Sequence, residues 1–188
     1  MQNILVIDNY DSFVFNLVHY LEGFDAKITV IRNDKVTLDE IARYDKVVLS
    51  PGPGVPKGAG LLKSIIESYA SQKSILGVCL GQQAIAEVFG GTIFNLNQVF
   101  HGVGHSLYIQ CADEVLYTDL EPIQQVGRYH SWSVSKPLPD CLEITGLDVS
   151  GNILSLRHRS LDVRGVQFHP ESILTPNGRK MIENWINA

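Results

Sequence analysis

Gly77-Val78-Cys79-Leu80-Gly81 sets a cysteine between two glycines, after the apolar run Ser74-Ile75-Leu76 and before the helix-like residues 82–89. A side chain thrust out at a sharp strand-to-helix turn crowds its neighbours, so glycine is wanted two residues before and two after it, as in the serine nucleophile elbow. The helix that follows turns free N–H groups and its partial positive end towards the turn, which favours negative charge there and can hold a developing oxyanion. The chemistry this supports is attack by an activated thiol. A lone cysteine in an apolar stretch is more often a small buried hydrophobe. A base elsewhere in the chain is what separates the two readings.

Such a base stands in Val166-Gln167-Phe168-His169-Pro170-Glu171-Ser172, directly after a strand-like run. Proline confines the residue before it to extended conformations, and residues two apart in an extended segment share a side. Glu171 can then reach back to one ring nitrogen of His169, fix its tautomer and leave the other nitrogen for a thiol, the logic of a catalytic triad. An isolated His-Pro-Glu is otherwise a turn with a satisfied surface histidine. A metal reading is weaker, because no third ligand stands at a supporting distance in sequence. A third place is Ser50-Pro51-Gly52-Pro53-Gly54. Glycine there lets N–H groups turn towards a ligand and proline stiffens the loop, although Pro-Gly pairs also make plain tight turns.

These residues need elements that end in one region. Residues 1–7, 26–31, 45–50 and 73–78 are short apolar strands, and residues 12–21 and 61–69 carry helical stripes between them. Continuous apolar strands alternating with helices imply an α/β fold whose parallel sheet is covered on both faces. In such sheets ligands sit beyond the carboxyl ends of the strands, where the 50–54 loop and the elbow both lie. From Thr92 the texture changes to short alternating runs (residues 106–110, 131–134, 142–145 and 153–156), which read as antiparallel strands. A strand over 163–168 and a closing helix over 177–186 follow. Phe89, Phe94, Phe168 and Trp185 read as core, and His19, His105 and His158 have no evident partner.

Composition narrows the function classes. At 188 residues, 45% hydrophobic and 19% charged, the chain fits one domain over residues 1–188. No apolar run approaches the roughly 18 residues that span a bilayer. Residues 1–7 lack a basic leader, and the cytoplasm is the expected compartment. A net charge of −5 without a Lys/Arg cluster argues against nucleic acid. Cys79, Cys111 and Cys141 are an odd number with no C-x-x-C spacing, which points to reduced thiols.

Taken together and in this order, S-P-G-P-G, G-V-C-L-G-x-Q and H-P-E resemble the class I (triad) glutamine amidotransferases, with a flavodoxin-like fold. The opening Ile7-Asp8-Asn9-Tyr10-Asp11-Ser12-Phe13 and the segment Arg128-Tyr129-His130-Ser131 look like the subunit serving chorismate-using synthases, anthranilate synthase component II or the amidotransferase component of aminodeoxychorismate synthase. The resemblance implies Cys79 as nucleophile, His169 as general base and acid, and Glu171 as the group orienting His169. It implies an oxyanion hole from the N–H groups of Leu80 and Gly52. It also implies substrate contacts from Gly52, Pro53, Gly54 and Gln83 and from the backbone of Ser131 and Trp132. The substrate would be L-glutamine and the partner a chorismate-binding synthase subunit; this chain would carry no metal or cofactor, the Mg2+ of the family belonging to the partner.

Two positions depart from the family pattern. Gln82 stands where His is common, and Val103, in His101-Gly102-Val103-Gly104-His105-Ser106, replaces a usual lysine in a segment that tends to meet the partner. A stand-alone γ-glutamyl hydrolase and a non-catalytic partner subunit are the other readings.

Overall fold

The computed structural model describes residues 1–188. In chain order the elements are β1 (Gln2–Asp8), α1 (Val14–Glu22), β2 (Ala26–Arg32), α2 (Leu38–Ile41), β3 (Lys46–Leu49), α3 (Leu62–Tyr69), β4 (Ser74–Val78) and α4 (Leu80–Val88). They continue with β5 (Ile93–Asn95), β6 (Val103–Ile109), β7 (Ile123–Arg128), β8 (Trp132–Val134), β9 (Leu142–Leu147), β10 (Ile153–His158), β11 (Val163–Val166) and α5 (Gly178–Ile186).

Nine strands form one sheet in the order β2-β1-β3-β4-β11-β10-β9-β6-β7, and β5 pairs with β8 in a separate ribbon. The pairings from β2 across to β11 are all parallel. From β11 to β7 they are antiparallel. The antiparallel strands expected from the second half therefore extend the parallel sheet. The expected α/β class holds, with a mixed sheet.

The parallel strands are apolar throughout because both of their faces are covered. Ile4, Leu5, Val6 and Ile7 are all fully buried. Ile4 and Val6 face a cluster that includes Leu17 and Leu21 of α1 and Met181 and Trp185 of α5. Leu5 and Ile7 face the opposite cluster, with Ile65 of α3 and Ala84 and Ile85 of α4. Lys46 is the exception in β3. Its buried Nζ donates to the carbonyls of Trp185 (2.9 Å) and Ala188 (3.3 Å), which satisfies acceptors left over at the end of α5.

Several expectations change in detail. α1 begins at Val14 and not at residue 12, since Asp11 Oδ1 accepts from the Phe13 N–H and holds that stretch in a turn. β11 stops at Val166, short of residue 168. α2, β5 and β7 are additional to the elements expected from sequence. Phe94 is 40% exposed and is not core, whereas Phe168 and Trp185 are fully buried. His158 has partners, for its Nδ1 accepts from the N–H groups of Ser160 and Leu161.

The order β2-β1-β3-β4 reverses direction between β1 and β3, a topological switch point of the kind that opens a crevice at the strand ends. Asn9 after β1 and the 50–54 loop after β3 flank that crevice, and Cys79 follows the next strand.

Candidate active site

Cys79 sits between β4 and α4 with φ 52° and ψ −100°, a conformation rare for a residue bearing a side chain. Such strain persists only where surroundings enforce it. The Cys79 N–H donates to Val166 O at 2.7 Å, which pins the elbow to the end of β11. A Cβ on Gly77 would strike the backbone of Gly81, and one on Gly81 would strike the backbone of Leu49. Only glycine lets the first turn of α4 come this close to β3 and β4, which is the steric reason for the G-x-C-x-G spacing.

The 50–54 loop is held against the elbow by a buried amide network. Asn9 receives a bond from Asn33 Nδ2 (2.9 Å), donates from its own Nδ2 to Ser50 O (2.8 Å) and from its backbone to Ser50 Oγ (3.0 Å). A Cβ on Gly52 would lie 2.6 Å from Leu80 Cδ2, so Gly52 and Leu80 are neighbours. The Gly52 N–H has no acceptor within the chain, and Leu80, as first residue of α4, has an N–H with no intrahelical partner. These are the two donors expected at an oxyanion.

His169 reaches the same place from the far side of β11. Its N–H donates to Gly127 O at 2.9 Å, an isolated bridge that keeps His169 extended. The chain then turns at once, for the Ser172 N–H and Thr175 Oγ1 both donate to His169 O, at 3.2 and 2.7 Å. Glu171 thus meets His169 through this turn and not through an extended segment, a correction to the expected geometry with the same outcome. His169 Nδ1 is 2.7 Å from Glu171 Oε1, and both residues are buried. The rings of Phe13 and Tyr129 stand edge-on to the imidazole, with centroids at 5.1 and 4.9 Å.

His169 Nε2 is buried and makes no hydrogen bond of full geometry, although the thiol of Cys79 lies near enough to bias its protonation. Burial alone would lower the His169 pKa. Hydrogen bonding to Cys79 and Glu171, together with their charges, outweighs burial and raises it to about 10. The arrangement favours an imidazolium between a carboxylate and a sulfur.

Opposite the elbow lies the 128–132 segment. Arg128 is fully buried, donates from Nη1 to Asp148 Oδ2 at 2.7 Å and lies 3.8 Å above the Phe100 ring. Its Nε donates to His130 Nε2 at 3.0 Å. His130 Nδ1 must then carry the proton, and it donates to Trp132 O at 2.8 Å. Burial and the adjacent Arg128 charge lower the His130 pKa to about 3, so the ring is neutral. Gln83 Nε2 also donates to Trp132 O, at 3.0 Å.

The Trp132 carbonyl is therefore saturated, and the carbonyls of His130 and Ser131 already accept from Phe100 and Leu96. The Ser131 N–H and Gln83 Oε1 of this wall are left unengaged, a donor and an acceptor. The Trp132 carbonyl holds the wall, and Trp132 borders the cavity beside Ser131. Gly52, Pro53, Gly54, Cys79, Gln83, Ser131 and Trp132 all border one cavity of about 180 Å³, closed on its other side by Val99, Phe100, His101, Tyr129 and His130. It is smaller than the roughly 300–1,000 Å³ of sites for drug-sized ligands, and its scale suits a single amino acid.

The structure brings together every residue expected at the site. It adds Asn9, Phe13, Arg128, Tyr129, Asp148 and Gln167. Of these, Gln167 carries a signal in its place two residues before His169, on the same face of an extended stretch. The buried Arg128–Asp148 pair has none, since nothing in sequence ties the two together.

The glutamine amidotransferase class-I family profile matches residues 5–188. Anthranilate synthase component 2 of Pseudomonas aeruginosa is 40% identical over 191 residues, covering 97% of this chain and 94% of that protein. Aminodeoxychorismate synthase component 2 of Klebsiella aerogenes is 42% identical over 187 residues, with 98% and 99% covered. Aminodeoxychorismate/anthranilate synthase component 2 of Bacillus subtilis is 41% identical over 188 residues, with 98% and 96% covered. In fold the chain is similar to a protein of Thermoplasma acidophilum named for one of the subunits of GMP synthase, with a TM-score of 0.90, 24% identity, and 100% of this chain and 93% of that one covered. An elbow cysteine, a carboxylate-backed histidine, an amino-acid-sized cavity and these matches lead to one conclusion: this chain belongs to the class-I glutamine amidotransferase family and is an enzyme of that class.

Proposed function

We propose that this chain is the glutaminase subunit of a chorismate-using synthase, hydrolysing L-glutamine and passing ammonia to a chorismate-binding partner, with anthranilate synthase the leading assignment. The observation that carries the chemistry is Cys79, held on a positive-φ turn beside a histidine whose other nitrogen is committed to Glu171. Aminodeoxychorismate synthase is the second reading, supported by the Klebsiella and Bacillus relatives being as similar as the Pseudomonas one.

In this reading the Ser131 N–H takes the α-carboxylate of glutamine and Gln83 Oε1 its α-ammonium, which lays the side-chain amide across Cys79. Sγ adds to the amide carbon, and the oxygen becomes an oxyanion held by the N–H groups of Leu80 and Gly52. His169 gives its proton to the amide nitrogen, the C–N bond breaks and ammonia leaves. A water, deprotonated by His169, then cleaves the γ-glutamyl thioester and releases glutamate. Glu171 holds the imidazole throughout. Side chains and backbone of this chain supply the whole half-reaction without a cofactor, and the Mg2+ of the family is assigned to the partner. Cys79, Cys111 and Cys141 are free thiols, which suits a reducing compartment such as the cytoplasm. No helix is long and apolar enough to cross a membrane.

The decisive test pairs Cys79→Ala with the partner protein. Loss of glutamate release by roughly 10⁴–10⁶-fold is expected for a nucleophile, while glutamate release at an undiminished rate overturns the reading. Co-purification with a chorismate-binding protein and identification of the aminated product decide the pathway.

A further inference from the structure

Besides the neighbouring His169 imidazole, the sulfur of Cys79 meets a second polar side chain, and it is this one that makes a hydrogen bond of full geometry. Gln167, fully buried, places Nε2 3.5 Å from Cys79 Sγ. Its Oε1 accepts from Gln83 Nε2 at 3.1 Å, and the same Gln83 nitrogen donates to Trp132 O at 3.0 Å. The three bonds form one chain, from the wall of the cavity to the nucleophile.

The polarity of that chain is set at its far end. A carbonyl oxygen can only accept, so the Gln83 atom facing Trp132 is the NH₂ group. Its second hydrogen points at Gln167, so the Gln167 atom met there is the oxygen, and the atom facing sulfur is an N–H donor. His130 Nδ1–H on the same Trp132 carbonyl fixes the starting point. Neither glutamine can flip without setting two like groups against each other in a buried place, which costs more than the bond itself contributes.

A donor aimed at sulfur serves the anion, because an ionised acceptor roughly doubles the strength of a hydrogen bond. We infer that Gln167 is a further catalytic residue, whose side-chain N–H stabilises the Cys79 thiolate, and that Gln83 is the positioning residue that keeps this donor turned to the sulfur. Gln167 and His169, alternate residues after β11, then divide the work on one atom, the amide holding charge and the imidazole moving the proton. When Sγ is acylated the donor loses its charged acceptor, so its effect is concentrated in the step that generates and uses the thiolate. The inference rests on Cys79 as the nucleophile proposed above and is indifferent to the pathway.

Other titratable groups surround this sulfur. His169, backed by Glu171, faces it from the end of β11. His101, Tyr129 and His130 line the cavity opposite. The segment before α1 presents Phe13, and residues 50–54 and 80–83 carry no titratable side chain.

The test reads thiolate formation directly, without turnover or partner. The full chain and its Gln167→Met and Gln167→Glu variants are alkylated with iodoacetamide across pH, with alkylation of Cys79 followed by peptide mass and folding checked by circular dichroism. Gln167→Met is expected to move the midpoint of the Cys79 profile up by about one pH unit and to lower glutaminase kcat/KM at least about tenfold. Gln167→Glu, which sets a carboxylate against the sulfur, is expected to move it further. Gln83→Leu moves it in the same direction by less. In the unaltered chain the side-chain amide resonances of Gln167 are expected to follow the same midpoint. An unchanged midpoint in folded Gln167→Met protein overturns the inference, and so do amide resonances that stay fixed through that range, whatever the variants do. Loss of activity in Cys79→Ala bears on the nucleophile alone, so the two readings fail separately.

Discussion

The 2.7 Å contact between His169 Nδ1 and Glu171 Oε1 decides which ring nitrogen is left for chemistry. The second oxygen of Glu171 is buried without a partner, so the imidazolium is the chief balance for its charge. Glu171→Gln keeps the shape, removes the charge and can present the wrong group to Nδ1. Glutaminase kcat is expected to fall roughly 10²–10⁴-fold with little change in KM, read from steady-state kinetics with glutamine. The same contact makes stability depend on pH. The His169 pKa is raised to about 10 in the folded chain from an ordinary 6.5. Its stabilisation is complete below the unfolded value and is lost as pH climbs through the folded one. Melting temperatures of the wild type are expected to fall across that window, and those of Glu171→Gln to fall less. Cys79, His169, Glu171, Gly52 and Leu80 are legible in the sequence because each lies within a motif a few residues long. The roles of Asn9 and Arg128 are not, because their partners Ser50 and Asp148 are 41 and 20 residues away, and for Gln167 the spacing to His169 marks the position but not its partner Cys79, 88 residues away. Sequence holds such pairs only through the fold.

Two elements carry polar groups whose costs differ in kind. On α4, Gln82 is fully buried against Gly165, and neither atom of its amide has a partner. Each orphaned group costs about 1–3 kcal/mol, so Gln82→Met, which keeps the volume, is expected to stabilise the chain by about 1–2 kcal/mol in urea unfolding and to leave the glutaminase rate unchanged. At the end of β7, Arg128 is the opposite case. Burial would raise the pKa of Asp148, but bonds from Asn152 and Arg128 more than offset it and hold the carboxylate charged. Arg128→Met leaves that charge buried and unpaired, a loss of roughly 3–5 kcal/mol. It also frees the His130 tautomer, so KM for glutamine is expected to rise; adding Asp148→Asn should restore stability and leave KM high. The long apolar strands and the striped helices are readable from periodicity. α2, β5 and β7 are not, since the first two have four and three residues and Gln124, Gln125 and Gly127 hide the alternation of the third.

At the scale of the molecule, three exposed apolar side chains lie on or beside the residues that line the cavity. Val99 is 65% exposed, Val103 41% and Ile173 92%. Val103 pairs with Arg128, next to Tyr129, and Tyr129 shares a 2.9 Å hydrogen bond with Ser172, the neighbour of Ile173. The family resemblance puts partner contact at the segment that holds Val103, so this is the face to test. Val103→Asp and Ile173→Asp are expected to abolish co-purification with the chorismate-binding protein while the rate of Cys79 alkylation in the isolated chain stays the same. Retained co-purification in both would place the partner on another face. The overall class is legible in the alternation of strand and helix. The way the antiparallel strands join the parallel half through β11 is not, because strand order is decided by packing across the sheet.

That joining has a consequence for how the protein is made. β4, which ends at the nucleophile, has an open edge until β11 docks beside it, and β11 is Val163–Val166. Gln167, His169 and Glu171 follow immediately. A chain emerging from the ribosome can build the first four parallel strands before residues 163–171 appear, and until then Cys79 has neither donor, nor base, nor the Val166 carbonyl that anchors its turn. The strand that joins the parallel and antiparallel halves of the sheet is therefore also the one that completes the surroundings of Cys79.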